Sequence, residues 1–170
     1  MLMLKLAIED VLHRYCRGID RMDRPLALSV FHPESTVEID AAFKGTGPGF
    51  IDWVWERHKG AARHLHNITN VCVSGDDDTA ASEAYVMALM RIESDGGLMV
   101  LQSHGRYLDE WVRFEDRWVI KRRRYTHEFQ EIRRMESDMA PATQVPSRRD
   151  HSDASYSLTP RLHEADRREQ

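Results

Sequence analysis

The spacing of hydrophobic residues changes near residue 62, from a helical period to the alternation of strands. Before that point, apolar side chains three and four positions apart predict an amphipathic helix over residues 3–21. Asp20 continues its apolar stripe, and a carboxylate on an apolar face needs a polar partner. The stripe consists of Leu4, Ile8, Val11, Leu12, Tyr15, Cys16 and Ile19.

Two shorter helices and one strand are predicted next. Asp23, followed by Arg24 and Pro25, favours a helix over residues 26–31, because proline fits a first helical turn. Residues 32–35 have turn composition, and residues 36–40 alternate as a strand. The glycines of residues 44–49 interrupt this strand. Helical spacing of aromatic residues then predicts a third helix over residues 49–59.

Four long strands are predicted over the rest of the domain. They cover residues 64–73, 79–93, 98–114 and 117–129, and turns of hairpin composition join them at residues 75–78, 95–97 and 115–116. Helices followed by an antiparallel meander indicate the α+β class. Strands of this length must curl, and a curled sheet packed on helices leaves a concave face that can serve as a pocket.

The composition divides the chain into a domain at residues 1–135 and a polar tail at residues 136–170. The tail is rich in Pro, Ser, Asp and Arg and has few large apolar residues, so it cannot offset its own ordering entropy. We expect it to be mobile or to lie on a neighbouring subunit.

Composition and charge exclude several classes of protein. The chain has 170 residues, 41% hydrophobic and 31% charged, with a net charge of -4, so no general attraction to nucleic acid or anionic membrane is expected. Alternation splits the basic run at residues 121–124 between two strand faces. Cys16 and Cys72 are expected to be buried free thiols, and the chain shows neither a membrane span nor a signal peptide. A cytoplasmic protein is predicted.

The third strand region carries the polar residues that are most suited to chemistry. Alternation places His64, His66, Ile68, Asn70 and Cys72 on one face. One interpretation is a metal site, with the two histidines and either His104 or Asp20 as ligands. The other is an acid-base site in which Asp20 orients His66 as the base that removes a proton from carbon. Asp20 can also simply end its helix.

Further candidates lie on the last strand and the first helix. Arg123, Tyr125 and His127 share one strand face, with Trp118 and Ile120 on the opposite face. Arg123 can polarise a leaving group, although an arginine more often forms a surface ion pair. Tyr15 can bring a phenol to the same cavity or serve as a core aromatic residue.

Three segments together resemble the SnoaL-like family of the nuclear transport factor 2-like (cystatin-like) superfamily. They are Tyr15-Cys-Arg-Gly-Ile-Asp20, His66-x-x-x-Asn70, and Asp116-Arg-Trp118-Val-Ile120 followed by Lys-Arg-Arg. The resemblance covers residues 3–130. Within the family, the sequence is similar to hexachlorocyclohexane dehydrochlorinase, scytalone dehydratase and bile-acid 7α-dehydratases. The resemblance implies a conical α+β barrel, in which a curved antiparallel sheet is closed by three helices.

The resemblance also implies roles for individual residues. It places the family's catalytic aspartate at Asp20 and its catalytic histidine, the base, at His66, with Arg123 and Tyr15 assisting. His127 stands where the bile-acid dehydratases have a functional arginine, which departs from their pattern. We group His127 with Asn70, His64 and Tyr125 as substrate-binding residues.

These observations predict a cofactor-independent lyase, without a metal, that acts on a small apolar ring compound. The alternatives are a non-catalytic ligand-binding or assembly module and an isomerase or cyclase acting on a steroid or polyketide skeleton. Exposed apolar surface on a long open sheet, together with the resemblance, predicts a homodimer or homotrimer.

Overall fold

A computed structural model of the protein describes residues 1–94, 97–136 and 145–158. The predicted α+β order of N-terminal helices followed by a meander is confirmed. The elements are α1 (Leu2–Asp20), α2 (Arg24–Ser29), β1 (Phe31–Ile39), β2 (Phe43–Thr46), α3 (Gly47–His58), β3 (Ala61–Gly75), β4 (Thr79–Ser94), β5 (Gly97–Phe114), β6 (Arg117–Arg134) and α4 (Ala154–Leu158).

Helices α2 and α3 each begin where a capping side chain satisfies one of the first backbone N–H groups. Asp23 caps α2 by accepting a hydrogen bond from Leu26 N at 3.2 Å, and Thr46 caps α3 by accepting one from Gly49 N at 3.1 Å. α2 ends before the predicted position because β1 already begins at Phe31. The turn predicted at residues 32–35 is therefore wrong.

The sheet has six strands in the order β2-β1-β6-β5-β4-β3 and is curved without closing into a barrel. β3 to β6 form the predicted antiparallel meander. β1, however, pairs with β6 in parallel, so the sheet is mixed rather than wholly antiparallel. The short strand β2 was not predicted, because its sequence was interpreted as part of a glycine-rich turn.

Two bulges reverse the alternation on which the predicted strand faces depended. In β3 the register shifts between Thr69 and Cys72, and Asn70 has a φ of 52°, so Cys72 is exposed rather than buried. In β6 the register shifts beside Lys121, since Arg122 pairs with Glu110 and Ile120 with Trp111. As a result Trp118 and Ile120 belong to the same buried core as Arg123, not to the opposite face.

The described part of the tail packs against the N-terminal helices of its own chain. The hydroxyl of Tyr156 donates to Asp23 Oδ2 at 2.8 Å, and Arg149 Nη2 donates to the carbonyl oxygen of His58 at 2.7 Å. The expectation of a mobile tail, or of one on a neighbouring subunit, is therefore wrong for residues 145–158. The rest of the predicted tail from residue 137 onward, and the first two residues of the turn predicted at 95–97, lie outside the described residues.

None of the helices in the described ranges combines the length and apolar character that crossing a membrane requires.

Candidate active site

A cavity of about 590 Å³ lies between the concave face of the sheet and helices α1 and α3. Aliphatic and aromatic side chains form most of its wall, including Ile19, Phe50, Trp53, Val86 and Met90. A cavity of this size and character suits a small apolar molecule. Polar or charged side chains also line the cavity, namely Tyr15, Asp40, Arg57, His58, His66, Ser103, Tyr107, Tyr125, His127 and Gln130.

His66 lines this cavity and is in direct contact with Asp20. Asp20 Oδ1 lies 2.7 Å from Nδ1 of His66, and Oδ2 accepts a hydrogen bond from the backbone N–H of the same residue at 3.1 Å. Both side chains are nearly buried, at 13% and 8% exposure. Because a carboxylate only accepts hydrogen bonds, Nδ1 of neutral His66 must carry the proton, which leaves Nε2 as a free base.

Two further histidines adjoin this pair. His64 also faces Asp20, with its Nδ1 3.9 Å from Asp20 Oδ1, and its side chain is fully buried. His58, in the last turn of α3, has its ring centroid 6.2 Å from that of His66 and 4.7 Å from that of His64. Burial lowers the pKa of His58 to about 4 and that of His64 to about 2, so both are neutral at pH 7.

Three tyrosines supply hydroxyl groups to the cavity. Burial raises the pKa of Tyr15 to about 12 and also raises the pKa values of Tyr107 and Tyr125. All three are therefore protonated hydrogen-bond donors at pH 7. The Tyr125 hydroxyl lies 3.1 Å from Ser103 Oγ, and a Cβ at Gly105 would overlap the Tyr125 ring, so a glycine is needed there.

Arg123 does not line the cavity, which corrects the expectation that it contacts a leaving group. It is fully buried and forms two hydrogen bonds to Asp109, at 2.8 and 2.7 Å. Burial opposes its charge, but the Asp109 carboxylate outweighs that effect and raises the pKa of Arg123. Its guanidinium carbon lies 3.9 Å from the ring centroid of Tyr107 and 4.4 Å from that of Tyr15, so it underlies these two tyrosines.

The remaining predicted residues separate into two groups. Tyr125 and His127 line the cavity. Asn70 is exposed at the β3 bulge, and His64 lies behind His66 rather than on the cavity surface. His104 stacks on Phe129 with ring centroids 4.2 Å apart. It therefore does not join the His64 and His66 group, whereas Asp20 does.

Two cavity residues, His58 and Tyr107, were not assigned to the site from the sequence. Helical spacing does place His58 with Phe50 and Val54 on the inner face of α3, and the structure places it in the cavity wall. Tyr107 lies opposite Tyr125 in the β5–β6 register, and strand alternation alone did not distinguish it from a core residue.

Comparison with known structures identifies the fold. A protein from Novosphingobium aromaticivorans provisionally assigned as a scytalone dehydratase is 19% identical, with a TM-score of 0.69 over 85% of this chain and 97% of that chain. Hexachlorocyclohexane dehydrochlorinase LinA-type3 from Novosphingobium barchaimii is 16% identical, with a TM-score of 0.69 over 82% and 97%. A Nostoc punctiforme protein of unknown function with a cystatin-like fold is 18% identical, with a TM-score of 0.59 over 73% and 90%. At these identities the likeness shows the fold alone.

Sequence comparison supplies the family. Comparison with curated proteins found no match. The sequence model of the SnoaL-like domain, however, matches residues 1–124, which is most of the chain and includes both Asp20 and His66. The chain belongs to the SnoaL-like family.

Proposed function

We propose that this protein is a cofactor-independent lyase that eliminates water or a halide from a small, largely apolar ring compound. One observation carries the proposal: Asp20 holds both the ring and the backbone of His66 at the wall of an apolar cavity. An oriented histidine beside a buried carboxylate is suited to remove a proton from carbon.

In the proposed reaction, Nε2 of His66 takes the proton from a ring carbon. The electron pair of the broken C–H bond forms a carbon–carbon double bond, and the leaving group on the adjacent carbon departs with its bonding pair. Asp20 stabilises the imidazolium that forms. No step requires an oxidant or reductant.

Departure of the leaving group needs a hydrogen-bond donor inside the cavity. Tyr15 and Tyr107 are suited to this role because both line the cavity and both hydroxyls are protonated at pH 7. Arg123 assists departure of the leaving group indirectly. Its positive charge lies beneath both tyrosine rings and favours the partial negative charge that develops on each hydroxyl oxygen as it donates a hydrogen bond. His127 lines the same cavity and can contact the ring substrate.

The names of the structural neighbours supply the first compounds to test, scytalone and hexachlorocyclohexane. Each is incubated with the protein in heavy water while NMR follows ring-proton exchange, and product analysis follows loss of water or chloride. Elimination that disappears in His66→Ala supports the lyase. Exchange without elimination favours an isomerase instead. If compounds of this class bind but neither exchange nor react, the protein is a binding module.

A further inference from the structure

Among the described residues, His64 is a buried polar side chain that the proposed reaction does not use. Its side chain is fully buried, and neither ring nitrogen has a hydrogen-bond partner. Burial of two unsatisfied nitrogens costs stability, so such a group calls for a ligand or another compensating role. His64 Nδ1 points toward Asp20, 3.9 Å from its Oδ1.

We propose that Asp20, His64 and His66 form a binding site for a divalent first-row transition metal ion. One ligand atom from each residue lies within 4.8 Å of the other two. A tetrahedral zinc ion with bonds of about 2.0 Å separates its ligand atoms by roughly 3.3 Å. The distances from Asp20 Oδ1, 2.7 Å to His66 Nδ1 and 3.9 Å to His64 Nδ1, fall on either side of that value, and the ligand atoms of the two histidines lie within 4.8 Å of each other, so binding requires side-chain shifts.

The chemistry of the three residues suits a metal ion. Two imidazoles and a carboxylate are ligands that zinc and its neighbours accept, and three protein ligands leave a fourth position for water.

The metal and the proposed reaction exclude each other. A metal ion at Nδ1 of His66 takes the place of the proton that Asp20 holds there, and the ring proton then moves to Nε2. Nε2 can no longer accept a proton from a substrate, so the metal-bound protein is inactive. This inhibition rests on the proposed function, whereas the metal site itself does not.

Calorimetric titration of the full chain, freed of metal with a chelator, with Zn²⁺ tests the site. We expect one ion per chain. His64→Asn should weaken binding more than about 100-fold, because it removes a direct ligand. The exposed His151 provides the matched control, and His151→Asn should leave affinity unchanged. The site would be overturned if the wild-type protein bound Zn²⁺ no more tightly than the His64→Asn variant does. It would also be overturned if His151→Asn lost Zn²⁺ binding.

A second variant keeps the test decisive if His64→Asn does not fold. Asp20→Asn replaces the carboxylate ligand and should weaken Zn²⁺ binding at least about 10-fold, and unchanged or tighter binding would count against the site. Binding without turnover of any ring compound would contradict the lyase and leave the metal site standing. Where turnover exists, saturating Zn²⁺ should abolish it and a chelator should restore it. Full turnover with bound Zn²⁺ would contradict the proposed exclusion.

Discussion

Asp20 binds His66 at two points, with one carboxylate oxygen at the ring nitrogen Nδ1 and the other at the backbone N–H. The first contact fixes the tautomer, and the second fixes the distance between the end of α1 and strand β3. The same carboxylate therefore joins the helix to the sheet and orients the candidate base.

This arrangement predicts the result of Asp20→Asn. The amide oxygen can satisfy the backbone N–H of His66, but the amide NH₂ then faces Nδ1, so the ring proton moves to Nε2 and the base is lost. We expect kcat to fall by about 10²- to 10⁴-fold with the fold intact. Steady-state kinetics and circular dichroism measure the two effects.

The matched control is the nearby carboxylate of Asp23. It caps α2 and accepts a hydrogen bond from Tyr156, and it does not line the cavity. Asp23→Asn should lower the free energy of unfolding by less than about 1 kcal/mol, because asparagine caps a helix about as well as aspartate, and it should leave kcat close to wild type. Equal losses of kcat in the two variants would show that the Asp20 effect is structural.

Tyr15→Phe tests whether a buried phenol assists the leaving group. The ring continues to pack at right angles to Tyr107 and Phe31, so the fold should persist, while the donor is lost. We expect kcat to fall about 10²-fold with little change in KM, because the hydroxyl acts as charge develops. The loss should be greater for a poor leaving group than for a good one, and equal losses for both would argue against the role.

Arg123 and Asp109 should contribute to stability as a unit. Both are fully buried, so Arg123→Met leaves an unpaired carboxylate and should cost about 3–5 kcal/mol in urea unfolding. The double variant Arg123→Met with Asp109→Leu should recover much of that loss. Arg122→Met, which breaks a largely exposed pair with Glu110, should change stability by less than about 1 kcal/mol.

The sequence predicted the elements better than it predicted the faces of the strands. Periodicity located the three N-terminal helices and the four long strands, and Asp20 was identified because it continues an apolar stripe. The bulges at Asn70 and Lys121 were not visible in the pattern, yet each inserts one residue and reverses the alternation beyond it. Asn70 was therefore assigned to the site, and Trp118 and Ile120 to the face opposite Arg123.

Other features depend on contacts between distant segments. The pairing of β1 with β6 and the packing of Arg149 against the end of α3 join residues far apart in sequence. A composition typical of disorder gave no indication that residues 145–158 would pack on α1 and α3. Such contacts are set by the tertiary arrangement rather than by local preference.

Self-association remains a prediction, and the outer face of the sheet supports it. Leu65, Tyr85 and Phe129 are large apolar side chains, 52%, 42% and 55% exposed, on strands whose other face packs on the core. We expect sedimentation at micromolar concentration to show a dimer or trimer. Phe129→Glu should shift the distribution toward monomer, whereas Glu131→Gln on the same strand should not. A wild-type monomer would contradict the prediction.

Stability should decline in mild acid because of His58 and His64. Their folded pKa values are lowered to about 4 and about 2, while an unfolded histidine has a pKa near 6.5. Below about pH 6.5 the unfolded chain therefore binds protons that the folded chain does not, and the free energy of unfolding falls as pH decreases. The contribution of His58 to this decrease ends near pH 4, whereas that of His64 continues to lower pH.

Urea unfolding midpoints between pH 7.5 and pH 4.5 test this mechanism. The pKa of Asp153 is lowered to about 2, chiefly by a backbone hydrogen bond from Arg148. Its contribution to the free energy of unfolding is therefore lost only below about pH 4, outside the pH range of this experiment. His64→Asn should make the decline between pH 6.5 and pH 4.5 shallower, since one buried imidazole no longer resists protonation. His151→Asn should leave the slope unchanged. An unaltered slope in His64→Asn would show that His64 does not drive the acid loss.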